Sequence, residues 1–367
     1  MWYMKKPHFA VLTSVVVAST LLAGCAGQSG SANQPVASAN GGDYTIVLSN
    51  SYLGNAWRQT MVKTFEAAGK EAKKQGLVKD FSVSNTSQNT ATEQIAQIQS
   101  LILKKPSAIL INSASPTALN SVIQQACNAN IVVVVFDSLA SAKCEYDVTN
   151  DMVAEGYQEA QLVAKAMGGQ GNMLVLRGIT GSLPDELMHQ GQMNALKEFP
   201  GINVVKELVG QADESVAQAA TQSAIPGLPK IDGVVAQGAA YGVLRAYQSA
   251  GKPLPHVAFN TSGEALRYWK GLADTQGYEG SGVLTDPGQA SAALWVALAL
   301  LKGEDVPKTT TLPIVAIPQS DLDAWIKVTP AGNVAAWVWS QPMVEAAIKT
   351  NLDKGVVKAP PIPTSAP

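Results

Sequence analysis

The chain has 367 residues, 46% of them apolar and 15% charged, with a formal charge of −2. That is chain enough for two ordinary domains with a substantial core, and the composition excludes a disordered protein. The near-neutral charge offers no basic surface for nucleic acid or for an anionic membrane.

The N-terminus reads as a targeting segment. Lys5 and Lys6 form a basic n-region, and residues 9–22 form a mostly apolar h-region, shorter than the ~20 residues of a spanning helix. It runs into Leu22-Ala23-Gly24-Cys25, the form of a bacterial lipoprotein signal, in which small residues precede a cysteine whose thiol takes a diacylglycerol. An ordinary secretory signal with an incidental cysteine is the alternative. The reading predicts removal of residues 1–24 and attachment to a membrane through lipidated Cys25. Residues 25–42, rich in Ser, Ala, Asn, Gln and Gly, then read as a flexible tether with a mean reach of roughly 23 Å. Export puts Cys127 and Cys144 in an oxidising compartment, where a disulfide between them is expected and free buried thiols are the alternative.

From Tyr44 the chain alternates β and helical patterns. Strands are expected at 44–49, 80–84, 107–112, 131–137, 171–177, 202–209, 231–236, 256–260 and 279–284. Helices are expected near 55–75, 90–104, 116–129, 150–167, 183–198, 214–224, 239–250, 263–270 and 286–302. Strict βα alternation calls for parallel sheets covered by helices on both faces. The run Ile131 to Val135 is apolar throughout, as in a strand buried on both sides. Nine such units exceed one small sheet. The irregular stretch 139–149, followed by Asn150-Asp151 capping a new helix, reads as a crossing between two lobes. The expected fold is therefore α/β, with two doubly wound parallel-sheet lobes joined by a hinge.

The helix at 286–302 is apolar nearly all round from Ala292 to Leu301. Bounded by Pro287 and Lys302, it reads as buried against a sheet and not as a membrane span. Beyond Pro318 the pattern weakens. A short helix is expected at 321–327, Trp337 and Trp339 sit two apart as on one strand face, and the Pro-rich residues 358–367 read as disordered.

In open parallel sheets ligands bind beyond the carboxyl ends of the strands. That places Asn55, Trp57 and Arg58, which follow the first strand, at the mouth of a site. An aromatic face beside an amide and a guanidinium suits a hydroxyl-rich ligand. The alternative is that Trp57 starts the helix and packs inward. Signals for an enzyme are absent. His189 and His256 lie in different units, and there is no Walker loop, no G-x-G-x-x-G and no Cys/His metal spacing. No catalytic residue, metal or cofactor is expected. Asp185 and Glu186 raise glycoside hydrolysis, but adjacent residues do not straddle a bond, and acids at a helix start complement its dipole.

Seven stretches occur in order: IVLSNSYLGNAWR (46–58), ILIN (109–112), VVVVFDS (132–138), RGITGSLPDELMHQG (177–191), GVVAQGAAYGVLRAYQSAGK (233–252), VAFNTSG (257–263) and VLTDPGQAS (283–291). Together they resemble the sugar-binding type I periplasmic binding proteins of ABC importers, the ribose-binding-protein group, over roughly Tyr44 to Pro318. The resemblance implies a first lobe of 43–149 plus about 285–312, a second lobe of 150–284 plus about 313–345, and a C-terminal tail of 346–367. It implies ligand contacts from Asn55, Trp57, Arg58, Asn112, Gln237, Asn260 and Thr285, with Asp137 in the place of the carboxylate that takes sugar hydroxyls. The chain departs from the pattern where Glu186, beside Asp185, replaces a second-lobe Arg. It also departs at Gly238 for Asn, at Asn260 for Asp, and at Glu214 for an aromatic. The cleft acids Asp137, Asp185 and Glu186 outnumber Arg58, which argues against a strongly anionic ligand.

The implied function is a lipid-anchored, extracytoplasmic binding protein that closes two lobes around a small sugar or polyol and delivers it to an ABC permease. A sensor subunit presenting the ligand to a receptor kinase or chemoreceptor would share the same cleft. A sugar-responsive repressor would need a helix-turn-helix where residues 1–43 carry a signal and tether instead.

Overall fold

A computed structural model of the protein describes residues 42–367. The signal segment, Cys25 and nearly all of the tether lie outside the described residues. Strand β1 (Thr45–Asn50) leads into helix α1 (Ala56–Lys74). Asn55 sets the start of α1 by accepting the Arg58 backbone N–H on its side-chain oxygen at 2.9 Å. The buried face of α1 runs through Met61, Phe65, Ala68 and Ala72, at spacings of three and four. The alternation continues through β2 (Asp80–Asn85), α2 (Ala91–Lys104), β3 (Ala108–Asn112), α3 (Asn120–Asn128), β4 (Val132–Phe136) and β5 (Tyr146–Asn150).

The second lobe follows with α4 (Met152–Ala166), β6 (Gln170–Arg177), α5 (Leu183–Leu196), β7 (Gly201–Val209), α6 (Glu214–Ala224), β8 (Gly233–Ala236), α7 (Ala240–Ser249), β9 (His256–Phe259), α8 (Gly263–Gln276) and β10 (Ser281–Leu284). Side-chain oxygens of Asp151, Ser182, Asp213 and Ser262 cap α4, α5, α6 and α8. The chain then returns to the first lobe with α9 (Gln289–Leu301) and β11 (Thr309–Leu312). It re-enters the second with β12 (Val315–Pro318) and α10 (Leu322–Val328), and ends against the first with α11 (Gln341–Leu352).

Two six-stranded sheets result. Their orders are β11-β5-β4-β3-β1-β2 and β12-β10-β9-β8-β6-β7. The first is parallel throughout. The second is parallel except for β12, which runs antiparallel to β10. Four crossings join the lobes: at Asp151, at residues 285–288, at 313–314 and at 329–340. Helix α9 lies against α1, β3, β4, β5 and α11, which is why its apolar surface runs all the way round. Among the described residues no helix is long and apolar enough to cross a membrane.

Four expectations need correction. The stretch 139–149 is not irregular to its end, because Tyr146–Asn150 is a strand pairing with β4 and β11. Trp337 and Trp339 share no strand. They lie in an extended connection held by buried Asp286, which accepts from the Trp337 backbone N–H at 3.2 Å and from Trp339 Nε1 at 2.8 Å. Residues 346–352 are not tail but the second half of α11, packed on α9 and β11. Residues 358–367 are ordered in part against the body. Pro361 accepts from Trp337 Nε1 at 2.8 Å, and Ile362 packs on the core. Cys127, near the end of α3, and Cys144, just before β5, form a disulfide with their Cα atoms 6.4 Å apart.

Candidate ligand-binding site

A cavity of about 560 Å³ opens where the carboxyl ends of the strands of both sheets face one another. That is within the size range of small-molecule sites, roughly 300–1,000 Å³. The first lobe contributes Asn55, Trp57 and Arg58 from the start of α1, with Asn89, Ser113, Asp137 and Ser138 from the loops after β2, β3 and β4. The second lobe contributes Asp185 and Met188 from α5, Asp213 and Glu214 at the start of α6, Gln237, Tyr241 from α7, and Asn260, Thr261 and Glu264 around the start of α8. Thr285, Gly332 and Val334 come from the crossings.

Arg58 is 6% exposed and anchors a buried polar chain. Its Nη1 donates to Asn50 Oδ1 at 3.3 Å and to Asn112 Oδ1, and Asn112 Nδ2 donates to Asp137 Oδ2 at 3.0 Å. The guanidinium carbon lies 5.6 Å from the ring centres of both Tyr52 and Trp57, a cation–π arrangement. Burial pushes the Asp137 carboxyl up from its ordinary value, and the Arg58 charge pulls it part of the way back. Burial likewise lowers Arg58, against the pull of Asp137. Asp137 takes a left-handed backbone, φ 57°, directly after β4, and its N–H donates to Val148 O at 3.2 Å.

The Trp57 indole is fixed by its Nε1–H, which donates to the Thr285 carbonyl at 2.8 Å. The Thr285 hydroxyl donates to Glu155, a fully buried acid of α4 whose carboxyl burial pushes up to about 8. Across the cavity Arg177 holds Asp185 with two bonds, Nε to Oδ1 at 2.9 Å and Nη2 to Oδ2 at 2.7 Å. Gly178 N–H adds a third at 2.8 Å. Glu214 accepts from the Gly242 N–H at 2.5 Å and from Asn260 Nδ2 at 2.6 Å, and burial pushes its carboxyl up to about 7.

Of the residues read from the sequence, Asn55, Trp57, Arg58, Asp137, Asp185, Gln237, Asn260 and Thr285 meet at this cavity. Asn112 does not reach it; fully buried, it positions Arg58 and Asp137 from behind. Glu186 does not reach it either. One position on from Asp185, it turns round the helix to solvent, with its side chain 63% exposed and paired to Arg177. The sequence reading missed Arg177, whose place at the end of β6 was the available signal. It also missed Tyr241, Asp213, Glu264, and the crossing residues Gly332 and Val334. The lining carries five carboxylates, Asp137, Asp185, Asp213, Glu214 and Glu264, against the single guanidinium of Arg58. Such a wall disfavours an anion and offers many acceptors to hydroxyl groups.

Two α/β lobes, linked by several crossings around a polar cavity with aromatic faces, define a two-lobed solute-binding protein. Residues 46–305 match the family model described as the periplasmic binding protein domain. The chain belongs to that family, whose members here are sugar-binding components of ABC transporters, not enzymes, and act outside the cytoplasm. The match ends before the last crossing. The chain is 30% identical over 249 residues to the xylitol-binding protein of Mycolicibacterium smegmatis, covering 66% of this chain and 70% of that one. It is 28% identical over 266 residues to the ribose import binding protein of Bacillus subtilis, covering 72% and 84%. Among solved structures it is similar to an ABC transporter solute-binding protein of Thermobispora bispora. That match is 43% identical with a TM-score of 0.82, and covers 88% of this chain and all of that one.

Proposed function

We propose that this protein captures a small, uncharged sugar or polyol in the interlobe cavity and delivers it to an ABC permease, while held at the membrane through Cys25. The observation that carries the reading is the pairing, in one cavity, of aromatic faces with rigidly held acceptors. Trp57 and Tyr241 offer rings to C–H faces, and Asp137, Asp185, Gln237 and Asn260 offer acceptors and amides to hydroxyls. The xylitol and ribose ligands named for its relatives belong to the same chemical class. The cysteine motif at 22–25 supports the anchor.

Thermal-shift screening of the soluble chain from residue 26 against monosaccharides and polyols tests the ligand class. A ligand that binds only the folded protein raises its stability by about 2.7 kcal/mol at a hundred times the dissociation constant. Melting points unchanged across pentoses, hexoses, inositols and alditols, with a shift from an amino acid or a dicarboxylate instead, would overturn the reading.

A further inference from the structure

Thr285 is bonded to both lobes at once. Its carbonyl accepts from Trp57 Nε1 of the first lobe at 2.8 Å, and its hydroxyl donates to Glu155 on α4 of the second. Within the crossing 285–288 it is the residue that lines the cavity. Glu155 reaches it from a rigid support. The Asp151 side chain caps the start of α4, and the Glu155 N–H donates to Asp151 O at 2.8 Å. Gly156 and Gly191 let α4 and α5 meet backbone to backbone. A Cβ at Gly156 would stand 2.0 Å from Met188 O, and one at Gly191 would stand 2.0 Å from Val153 O. The helix that carries Glu155 is thus seated on the helix that brings Asp185 and Met188 to the cavity.

Glu155 is 1% exposed and lies behind the cavity wall. Burial favours its protonated form, and two further acids act in the same direction: Glu159, one turn on in α4, and Asp137 from the first lobe. The other charged groups on the elements packed around α4 have partners or lie elsewhere. Glu159 accepts from Gln192 Nε2 at 2.8 Å and from the Ala236 N–H at 3.0 Å. On α5, Asp185 and Glu186 pair with Arg177, and His189 lies beside Glu207. Strands β8 and β10 carry no titratable side chain, and His256 stands at the end of β9 away from the cavity. Asp286, next along the crossing, is held by Gly288, Trp337 and Trp339.

We propose that Glu155 is a positioning residue of the ligand site, which through the Thr285 hydroxyl sets the carbonyl that orients the Trp57 ring. The proposal rests on the sugar-or-polyol reading for the identity of the ligand only. The neutral carboxyl is the form that serves the site. Ionisation would add a second buried negative charge near Asp137, whose oxygens are offered to ligand hydroxyls, and would tighten the hold on Thr285. The Glu155 carboxyl titrates at about 8. A site that needs its neutral form therefore loses about tenfold in affinity between pH 7 and pH 9.

Two measurements test this. The first is calorimetric titration, at pH 7 and pH 9, of the tightest binder among D-ribose, xylitol and myo-inositol. Wild type should lose about tenfold in affinity across that range. Glu155→Gln, which stays neutral and keeps an acceptor for the Thr285 hydroxyl, should lose at least threefold less. Glu214 of the cavity wall also titrates near this range, but it is present in both proteins and cancels in the comparison. An equal loss in the two proteins overturns the proposal. The second measurement needs no ligand. In protein labelled with ¹⁵N-indole tryptophan, the Trp57 resonance, assigned through Trp57→Phe, should move along a titration curve centred near pH 8. Thr285→Val, which removes the hydroxyl and leaves the carbonyl, should abolish that movement, as should Glu155→Gln. A Trp57 resonance that does not titrate in wild type, or titrates equally in the variants, overturns the proposal whatever the ligand. Failure of every sugar and polyol to bind would overturn the sugar reading, and the indole titration would still decide the role of Glu155.

Discussion

The indole N–H of Trp57 donates to the backbone carbonyl of Thr285 at 2.8 Å, joining the first helix of one lobe to the exit of a strand from the other. The bond holds the ring at the cavity edge and makes its orientation depend on how the lobes meet. Trp57→Ala should weaken sugar binding by more than about 1 kcal/mol, the scale of an aromatic contact with its lost burial. Trp57→Phe keeps a ring face but loses the bond, so it should retain part of that affinity. Calorimetric titration with the best ligand from the screen reads both. A dissociation constant unmoved by Ala would assign the ring to packing alone.

Asp137 sits at φ 57°, in the left-handed region that Asn tolerates better than most residues, so Asp137→Asn leaves the backbone undisturbed. Its bond with Asn112 can also persist through the remaining carbonyl. The change should therefore fall on ligand hydroxyls, with a loss of about 1.5–3 kcal/mol, the worth of a charge-assisted hydrogen bond. The unliganded melting temperature should hardly move. The opposite pattern, earlier melting with unchanged affinity, would make Asp137 a turn residue.

Glu155 predicts a pH dependence of stability. Burial lifts its carboxyl from an ordinary 4.5 to about 8, with Glu159 and Asp137 adding to the rise and the Thr285 bond opposing it. Between those values the folded state binds a proton that the unfolded state has released. The contribution is thus fully present below about pH 4.5 and is lost as pH climbs through 8. Melting temperature should fall between pH 5 and pH 8 in wild type, and Glu155→Gln should flatten that slope. An equal slope in the variant would show that the proton resides elsewhere.

The Cys127–Cys144 disulfide spans 17 positions and pins the end of α3 to the segment entering β5, which lies between β4 and the edge strand β11. In the chain-entropy account a loop of that length is worth about 3 kcal/mol. The double variant Cys127→Ser, Cys144→Ser should lower the denaturant midpoint accordingly, and the unfolded, unreduced parent should titrate no free thiol. Two thiols per chain would remove the bridge from the account.

Cys25 is expected to begin the mature protein and to carry lipid. Mass spectrometry of the membrane fraction should find residues 1–24 absent and the new N-terminal cysteine heavier by a diacylglycerol. An unmodified Cys25, or cleavage at another bond, would replace the anchor by simple secretion.

Much of the architecture was legible because buried parallel strands announce themselves. Ala108–Asn112 is buried along its whole length and Val132–Phe136 at all but its first residue, and both read as apolar runs, the former closed by Asn112. The strands that escaped notice are edges or neighbours of edges. β11 is Thr-Thr-Thr-Leu, with only Thr310 and Leu312 buried, and β5 carries Asp147 and Asn150 among its five residues. Their pairing is decided by chain that returns from another lobe, which no local pattern records. At the site, residue positions were readable and side-chain directions were not. Asn112 turns under the sheet while Asp137, at the end of the neighbouring strand, turns into the cavity. Asp185 and Glu186 are neighbours in sequence and both pair with Arg177, yet about 100° of helical rotation buries Asp185 at the cavity and leaves Glu186 exposed to solvent. Of the Arg58 cluster, Arg58, Asn112 and Asp137 were read from the sequence but Asn50 was not, and Asn50 and Asn112 both act on Arg58 from beneath.

The fourfold threading of the chain constrains the order in which the protein can be assembled. Asp147 on β5 lies beside Thr309 on β11, 162 positions later, and the hydroxyl of Tyr44 closes on the carbonyl of Leu301 across 257 positions. A nascent chain that has reached residue 150 therefore has five strands of its first sheet but neither β11 nor the covering helices α9 and α11. Its β5 is an open edge, free to pair with another chain. The first lobe finishes only after the second has been made, so the slowest contacts to form are the longest in sequence. Neither lobe exists as a single excisable segment, and a fragment ending at the first crossing should aggregate where the full chain does not.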